Sequence, residues 1–289
     1  MRIEDLLRSG RSLKELSTFG IGGPVRFYLE ASETAHIEQA IEWAFIQKVP
    51  YFILGKGSNC LFDDRGFDGL VIHNKIDFCR FDGCRIYVGA GFSFSLLGIH
   101  TAKKGLSGLE FAAGIPGSVG GALYMNAGAN RQETCQALEK TLYFDPSVGE
   151  KLISREQLIF GHRTSSFQSM RGVILAAHFI LTENHDARKI QLDYINYRMS
   201  SQPYSEKSAG CAFRNPSKDV SAGALIDQCG LKGLKCGGAE VSSIHANFIV
   251  NVLNATSRDV MALIEQVQQR VYEKTKILLE PEVRLVSFQ

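Results

Sequence analysis

The chain has 289 residues, of which 45% are hydrophobic, so it is long enough to bury one or more substantial cores. Its 32 basic and 30 acidic residues nearly cancel, and no run of five like charges occurs, which argues against binding to nucleic acid or to an anionic membrane. No stretch approaches the roughly 18 apolar residues of a membrane span, and MRIEDLLRSG at the N-terminus has no apolar signal-peptide core. We therefore expect a cytoplasmic protein.

The chain has seven cysteines, an odd number, without any C-x-x-C pair. This pattern favours neither a disulfide framework nor a zinc site, and we expect no metal. The cysteines are expected to be reduced thiols, most of them buried as small hydrophobic residues. They lie at positions 60, 79, 84, 135, 211, 229 and 236.

The first predicted element is a helix from Ser32 to Val49, with Ser32 as its N-cap and Glu33 in its first turn. Pro50 and the apolar run YFIL follow, and we interpret them as a strand that ends in the tight loop GKGSN. The apolar residues at helical spacing are Ile37, Ile41, Ala44 and Phe45.

The next part of the chain, to about residue 183, has strand patterns at GLVIH (69–73), RIYVG (85–89), TLYF (141–144) and GVILAAHFIL (172–181). Helices are predicted over residues 93–104 and 134–140. The segment GIPGSVGGALYMNAGA (114–129) is so rich in glycine that we expect neither a helix nor a strand there.

A helical segment ends near Arg198, where SSQP interrupts the chain, and we place a domain boundary close to Ser200. Beyond it, the pattern predicts a short helix over 222–228, a strand at ANFIVN (246–251) and an extended run over 277–288. A longer helix begins at Thr256, with Asp259 completing a capping box. Its apolar stripe is Val260, Leu263, Ile264, Val267 and Val271.

Two glycine-rich segments, GKGSN (55–59) and GIPGSVGGALYMNAG (114–128), have what is needed to bring backbone N–H groups close to a phosphate. Together they suggest a diphosphate bound between two loops. Neither is a Walker A loop or a G-x-G-x-x-G helix start, which disfavours a P-loop kinase or a Rossmann dehydrogenase. For GKGSN alone, a simple turn explains the glycines equally well.

In their wider context, ILGKGSNCLF and FAAGIPGSVGGALYMNAGA resemble the flavin-binding segments of the UDP-N-acetylenolpyruvoylglucosamine reductase family. Further motifs occur in the family's order, and the resemblance covers essentially the whole chain. These motifs are STFGIGGP, GHRTSSF, SAG-x-x-F-x-NP, GLKG, HANFIVN and LEPEVR.

The resemblance implies an α+β fold: two FAD-binding subdomains of the vanillyl-alcohol-oxidase type, followed by a C-terminal α+β substrate domain. We place the first subdomain at 1–68 with a return at 278–289, the second at 69–199, and the substrate domain at 200–277. There is little room before SAGC for the long tyrosine-bearing loop of some members. The chain is therefore expected to belong to the subclass without that loop, and Tyr204 is no more than a candidate substitute.

The activity implied is NADPH-dependent reduction of UDP-N-acetylglucosamine enolpyruvate to UDP-N-acetylmuramate in peptidoglycan synthesis. FAD is expected to be bound noncovalently, with NADPH as hydride donor, in a protein that we expect to be a monomer. The resemblance places the FAD pyrophosphate between two sets of residues. One set is Gly55, Lys56, Gly57, Ser58 and Asn59; the other is Gly114, Ile115, Pro116, Gly117, Ser118, Gly120 and Gly121.

Hydride addition to an enolpyruvyl group leaves negative charge on the carbon that bears the carboxylate, so the site needs a cation and a proton donor. Arg163, in GHRTSSF, falls on the family's catalytic arginine, and its planar guanidinium matches a carboxylate. Glu282, after Pro281, falls on the catalytic glutamate, and apolar neighbours would favour its protonated, donating form. Without the resemblance, both residues read as ordinary surface charges.

Cys211 falls where the family usually carries a serine, the proton donor to carbon, and this is the sequence's main departure from the pattern. A thiol has an ordinary pKa of about 8.5, so it is mostly protonated at pH 7 and is a far stronger acid than an alcohol. A cysteine taken at random is more often buried packing. The polar surroundings of Cys211 favour the catalytic role.

Three residues are candidates for contacting the sugar nucleotide: Asn215 by its match to the family motif, Lys207 for the UDP phosphates, and His245. His162, like His245, is a more general candidate for a substrate contact or for supporting one. Other functions stay open at this stage. They are a flavin oxidase of the same superfamily, a hydrolase or transferase that uses Cys211 as nucleophile with His162 or His245, and a nucleotide-binding protein without catalysis.

Overall fold

The computed structural model describes residues 2–217 and 219–288. The chain divides into two compact units. The first consists of Met1–Arg8, Tyr28–Lys56 and Leu70–Tyr197, and the second of Ser9–Phe27, Gly57–Gly69 and Arg198–Gln289. The three-part domain division given above stays a prediction.

The α-helices of the described residues are α1 Thr34–Ile46, α2 Phe94–Lys103, α3 Val119–Tyr124, α4 Ala187–Ser201, α5 Ala222–Gln228 and α6 Ser257–Thr275. Short 3-10 helices are found at Ile3–Leu6, Leu13–Glu15, Glu110–Ala112, Thr134–Gln136, Arg155–Gln157 and Ser166–Gln168. None of the helices in residues 2–217 and 219–288 has both the length and the apolar character needed to cross a membrane.

The first fifteen strands are β1 Val25–Ala31, β2 Tyr51–Leu54, β3 Cys60–Phe62, β4 Phe67–Asn74, β5 Cys79–Asp82, β6 Arg85–Gly89, β7 Leu106–Ser107, β8 Gly128–Ala129, β9 Gln132–Glu133, β10 Leu138–Asp145, β11 Gly149–Ser154, β12 Phe160–Gly161, β13 Thr164–Ser165, β14 Val173–Ile180 and β15 Thr182–Glu183. The remaining strands are β16 Ser208–Cys211, β17 Lys235–Cys236, β18 Ala239–Val241, β19 Phe248–Asn251 and β20 Arg284–Val286.

The first unit contains a five-stranded antiparallel sheet in the order β11-β10-β14-β6-β5. Strand β2 pairs in parallel with the second half of β4, with Tyr51 opposite Leu70. A parallel neighbour fits β4, whose end is a continuous buried apolar run rather than an alternating one. The core of this unit includes Phe94, Phe111, Tyr143 and Phe179.

The second unit contains a four-stranded antiparallel sheet in the order β16-β19-β18-β17. Helix α6 buries one stripe of side chains in its core, as the spacing predicts. Strand β20, near the C-terminus, pairs in parallel with β3, with Arg284 opposite Cys60. The buried stripe of α6 is Val260, Leu263, Ile264, Val267 and Val271.

Several sequence predictions are confirmed. The four predicted strands of the first unit correspond to β4, β6, β10 and β14, and the predicted helix at 222–228 is α5. The capping box of α6 is formed, since the Asp259 N–H donates to Thr256 Oγ1 and the Thr256 N–H donates to Asp259 Oδ2.

Other predictions are wrong. Helix α1 begins at Thr34 after Glu33, so Ser32 is not its cap, and Phe45 is 78% exposed instead of buried. Residues 134–140 form one short 3-10 turn and then β10, because Leu138 pairs with Phe179 of the neighbouring strand β14 and the sheet overrides local helix preference.

The glycine-rich segment contains a helix, α3, that the composition does not suggest. Ser118 caps it by accepting the Gly121 N–H. Gly120 lies against Ala90, because its N–H donates to the Ala90 carbonyl at 2.8 Å and a Cβ there would stand 3.0 Å from the Ala90 Cβ. The glycines therefore allow a short helix to approach a neighbouring strand closely.

The cysteines are less buried than expected. Cys135 is buried, whereas the other six are half-buried, and all seven are thiols. No group of three or more histidine, cysteine or acidic side chains in the described ranges is arranged to hold a metal ion.

Candidate active site

The two glycine-rich segments meet within the first unit. Gly55 follows β2, and a Cβ built on it would lie 2.3 Å from Ser118 Oγ. Ser118 is the N-cap of α3, so the contact joins the first segment to the start of a helix within the second. Glycine at position 55 thus keeps side-chain atoms out of the space beside Ser118, as a phosphate-binding loop requires.

The second segment is held by hydrogen bonds with α2. The Gly114 N–H donates to Ser95 Oγ at 2.8 Å, and Gly114 has φ +81°, a conformation that favours glycine. The Phe94 N–H donates to the Gly117 carbonyl at 3.0 Å. Within the segment, Pro116 and Gly121 are exposed, while Ile115 is half-buried. Gly117 and Gly120 are half-buried and Gly114 is buried, so part of the glycine backbone is accessible to a phosphate-bearing cofactor.

Gly57, Ser58 and Asn59 of GKGSN belong to the second unit, whereas Lys56 belongs to the first. Gly57 has φ +60°, and a Cβ there would meet the Leu16 carbonyl oxygen at 2.4 Å. The Asn59 side-chain amide donates to the Glu282 carbonyl at 3.2 Å, and the Arg284 N–H donates to the Asn59 carbonyl at 3.0 Å. The loop predicted to hold the cofactor therefore also holds the backbone of the predicted catalytic glutamate. Lys56 is exposed, and Ser58 is half-buried.

The close approach of Gly55 to Ser118 leads to a prediction about cofactor content. Gly55→Ala is expected to lose most bound FAD, because the methyl group collides with Ser118 Oγ and spreads the two loops. The ratio of flavin absorbance to protein in the purified enzyme measures this. The double variant Gly55→Ala/Ser118→Ala, which lacks the colliding oxygen, should regain part of the FAD. Full FAD occupancy in the single variant would refute the steric account.

Arg163 lies at the tip of a two-residue hairpin loop between β12 and β13, in the first unit. Its φ is +57°, a left-handed conformation that glycine or asparagine adopts far more readily. The Arg163 Nη1 donates to the Gly128 carbonyl at 3.0 Å. The backbone carbonyl of Arg163 accepts a hydrogen bond from Gln168 Nε2 at 3.1 Å. An arginine kept at this strained position points to a need for its side chain.

Asn126 ties this hairpin to the end of the second glycine-rich segment. Its side chain is fully buried, and its Nδ2 donates to the Gly161 carbonyl at 3.0 Å and to Glu133 Oε2 at 2.9 Å. Its Oδ1 accepts the Cys135 N–H. The predicted catalytic arginine is thus fixed beside the segment predicted to bind FAD.

Cys211 is the last residue of β16, in the second unit, and lies opposite Phe248 of β19. The register shifts between Ser208 and Cys211, where Gly210 has φ +78°. Such a bulge re-aims the following residues and is frequent next to active sites. Cys211 is half-buried.

The structure brings the Cys211 and Glu282 segments together. The Glu282 N–H donates to the Ala212 carbonyl at 2.8 Å, and Phe213 pairs with Pro281 in an antiparallel bridge. Glu282 is half-buried, so two residues that are 71 positions apart come to adjacent positions on paired backbone segments. Arg163 belongs to the first unit.

The three predicted substrate contacts all lie in the second unit. The Lys207 side chain lies across Gly20, with its Cδ 3.0 Å from where a Cβ would stand, and lines a cavity of about 490 Å³ together with Lys14. Asn215 is exposed and uses its Oδ1 to accept the Ala222 N–H at the start of α5.

His245 packs its ring against Phe248, with centroids 4.9 Å apart, and its Nδ1 accepts the Asn247 N–H. Burial lowers its pKa, which favours the neutral ring. His162, the other histidine considered as a partner for Cys211, belongs to the first unit. Sequence reasoning missed Asn247 and Ser95; HANFIVN was a signal for the first, but nothing marked the second.

Comparison with known proteins identifies the family of this chain. Residues 202–286 match the domain family described as UDP-N-acetylenolpyruvoylglucosamine reductase, C-terminal domain, and residues 25–143 match an FAD binding domain. The UDP-N-acetylenolpyruvoylglucosamine reductase of Protochlamydia amoebophila is 51% identical over 290 residues, covering 100% of this chain and 96% of its own. That of Chlamydia muridarum is 46% identical over 278 residues, covering 96% and 93%.

A solved structure is also similar. The crystal structure of UDP-N-acetylenolpyruvylglucosamine reductase from Thermus caldophilus has a TM-score of 0.82 at 36% identity, covering 96% of this chain and 99% of that one. The predicted α+β fold with an FAD-binding part and a C-terminal substrate domain is confirmed. The chain belongs to the UDP-N-acetylenolpyruvoylglucosamine reductase family, a family of FAD-dependent oxidoreductases.

Proposed function

We propose that this enzyme reduces UDP-N-acetylglucosamine enolpyruvate to UDP-N-acetylmuramate with NADPH, as a cytoplasmic step of peptidoglycan synthesis, and that Cys211 is its proton donor. The observation that carries the proposal is the pairing of the Cys211 and Glu282 segments through the bond from the Glu282 N–H to the Ala212 carbonyl. Family membership favours this reductase over a flavin oxidase, a cysteine hydrolase or a binding protein without catalysis.

The residues that would hold FAD, without a covalent bond, are the backbone of the two glycine-rich segments, which meet at Gly55 and Ser118. FAD bound there would supply the hydride chemistry, from NADPH to the methylene carbon of the enolpyruvyl group. The active form is proposed to be a monomer.

Arg163 binds the carboxylate of the enolpyruvyl group. Its guanidinium is charged at every working pH and offers parallel N–H donors to two carboxylate oxygens. As charge develops on the adjacent carbon and spreads into the carboxylate, this fixed cation stabilises it. The contact from Nη1 to the Gly128 carbonyl orients the guanidinium before substrate arrives.

Cys211 then protonates the carbon that bears the carboxylate. The Sγ–H bond breaks as the new C–H bond forms, and the thiolate that remains takes a proton from water before the next turnover. Glu282, in its protonated form, donates a hydrogen bond to the developing enolate oxygen. Its backbone is fixed on both sides, by the Ala212 carbonyl and by the Asn59 amide, which limits its movement.

Lys207 is proposed to bind the diphosphate of the sugar nucleotide. Lys207 and Lys14 line the same cavity, so two ammonium groups are available to an anion there. Asn215 and His245 are proposed to contact other parts of the substrate. The neutral state favoured for His245 suits a hydrogen bond to a sugar or base oxygen better than binding of phosphate.

A complete anaerobic cycle tests the function. NADPH should bleach the yellow colour of the purified protein, and the enolpyruvyl sugar nucleotide should restore it with formation of UDP-N-acetylmuramate. Bleaching by an organic donor and recovery with oxygen alone would identify an oxidase instead. A colourless protein that cannot be reconstituted with FAD would overturn the proposal.

A further inference from the structure

We propose that Asn247 is a positioning residue that sets where Cys211 and Glu282 stand relative to each other, an inference that rests on the function proposed above. Asn247 lies in the turn that leads into β19 and is only 3% exposed. A buried side-chain amide must find hydrogen-bond partners, and those partners show what the residue holds in place.

Within residues 2–217 and 219–288, the hydrogen bonds of the Asn247 side chain all go to Phe213. Its Oδ1 accepts the Phe213 N–H at 3.0 Å, and its Nδ2 donates to the Phe213 carbonyl at 2.8 Å. The side-chain amide thus pairs with Phe213 as a peptide group of a neighbouring strand would. The Asn247 carbonyl adds a third bond by accepting the Ala212 N–H at 2.7 Å.

These bonds begin where the regular pairing of β16 with β19 ends. The last pair of that ladder is Cys211 with Phe248, and the bulge at Gly210 has already shifted its register. The Asn247 side chain is the partner of Phe213 on this side, whereas Ala212 bonds to the Asn247 backbone. Asn247 therefore extends the ladder past the bulge and fixes the direction in which the chain leaves Cys211.

The opposite edge of the same segment carries Glu282. The Ala212 carbonyl accepts the Glu282 N–H, and the Arg214 N–H donates to the Glu280 carbonyl at 2.9 Å. Residues 212–214 thus lie between Asn247 on one side and the glutamate segment on the other. A change at Asn247 therefore acts on the backbone next to both predicted catalytic residues.

Two variants of Asn247 remove one or both of its side-chain hydrogen bonds to Phe213, so the size of the effect on catalysis can be compared between them. Asn247→Asp keeps an acceptor for the Phe213 N–H but loses the donor to its carbonyl, while Asn247→Ala loses both bonds. We expect recovery of flavin colour by the enolpyruvyl substrate to slow by on the order of 10-fold in the first and 10²-fold in the second, the scale of a misplaced catalytic group. Bleaching by NADPH and FAD content should stay within about twofold of wild type.

Asn251→Ala is the matched control. Asn251 lies on the same strand and also uses its amide on backbone, donating to the Phe19 carbonyl and accepting the Ala255 N–H, but it does not bond to residues 211–214. Its loss should lower stability without a selective effect on colour recovery. If Asn251→Ala slows recovery as much as Asn247→Ala, or if bleaching slows equally, Asn247 has only a structural role.

A second measurement does not depend on substrate. The alkylation rate of Cys211 by iodoacetamide, measured by peptide mass spectrometry with Cys229 as internal reference, should change at least about threefold in Asn247→Ala and stay unchanged in Asn251→Ala. An unchanged rate at Cys211 overturns the positioning role. If wild type fails the anaerobic cycle, the proposed function fails, whereas this alkylation comparison still decides the role of Asn247.

Discussion

Cys211→Ala is expected to keep normal anaerobic bleaching by NADPH and to lose about 10²–10⁴-fold in the rate at which the enolpyruvyl substrate restores flavin colour, the usual contribution of a positioned proton donor. The methyl group of alanine has no proton to give, whereas the backbone that holds Glu282 is unchanged. Stopped-flow absorbance of the two half-reactions separates these effects.

The control for this variant is Cys229→Ala, which removes another half-buried thiol of the same unit from a position that is given no catalytic role. It should leave both half-reactions unchanged. Normal recovery of flavin colour in Cys211→Ala would remove Cys211 from the mechanism, and a loss of bleaching in both variants would point to general damage instead.

Arg163→Asn is expected to lower kcat/KM for the enolpyruvyl substrate by about 10²–10³-fold, since it removes a charged donor from the developing negative charge. The same substitution should raise the thermal stability of the protein slightly or leave it unchanged. Asparagine adopts left-handed backbone more easily than arginine, so the substitution relieves strain at φ +57°. Thermal unfolding and steady-state kinetics on the same preparation measure both.

Arg131 provides a close control. It is an exposed arginine with φ +65°, at the tip of the hairpin between β8 and β9. Arg131→Asn relieves the same kind of strain without touching a proposed functional group, so it should leave kcat/KM near wild type. If both substitutions cost the same activity, the loss comes from the hairpins and not from the guanidinium of Arg163.

Local signals in the sequence predict much of the fold. Helix α6 follows from its capping box and apolar stripe, and α5 from its short apolar pattern before Gly230. The secondary-structure predictions are wrong where contacts between residues far apart in the chain determine the structure. Residues 134–140 look helical on their own, but Leu138 and Lys140 pair with β14 in a sheet and only a 3-10 turn forms at Thr134–Gln136. Helix α3 forms because Ser118 caps it and Gly120 can approach Ala90 closely.

The candidate site likewise has residues that the sequence predicts and contacts that only the fold shows. Motif resemblance points to Arg163, Cys211 and Glu282, but sequence contains no signal that places Glu282 beside Ala212, since that pairing joins residues far apart in the chain. The roles of Ser95 and Asn247 depend on the hydrogen bonds that their side chains make with the backbone of Gly114 and Phe213. Such bonds are visible only once the fold is known.

The pH dependence of colour recovery in wild type and Cys211→Ser tests the proposed proton donor most directly. The protonated thiol is the donor, so the wild-type rate should fall as pH rises through the pKa of the thiol, which for an ordinary cysteine is about 8.5. The serine enzyme should retain turnover without this alkaline fall, because a hydroxyl does not titrate in that range. An identical pH dependence in both enzymes would contradict the role of Cys211.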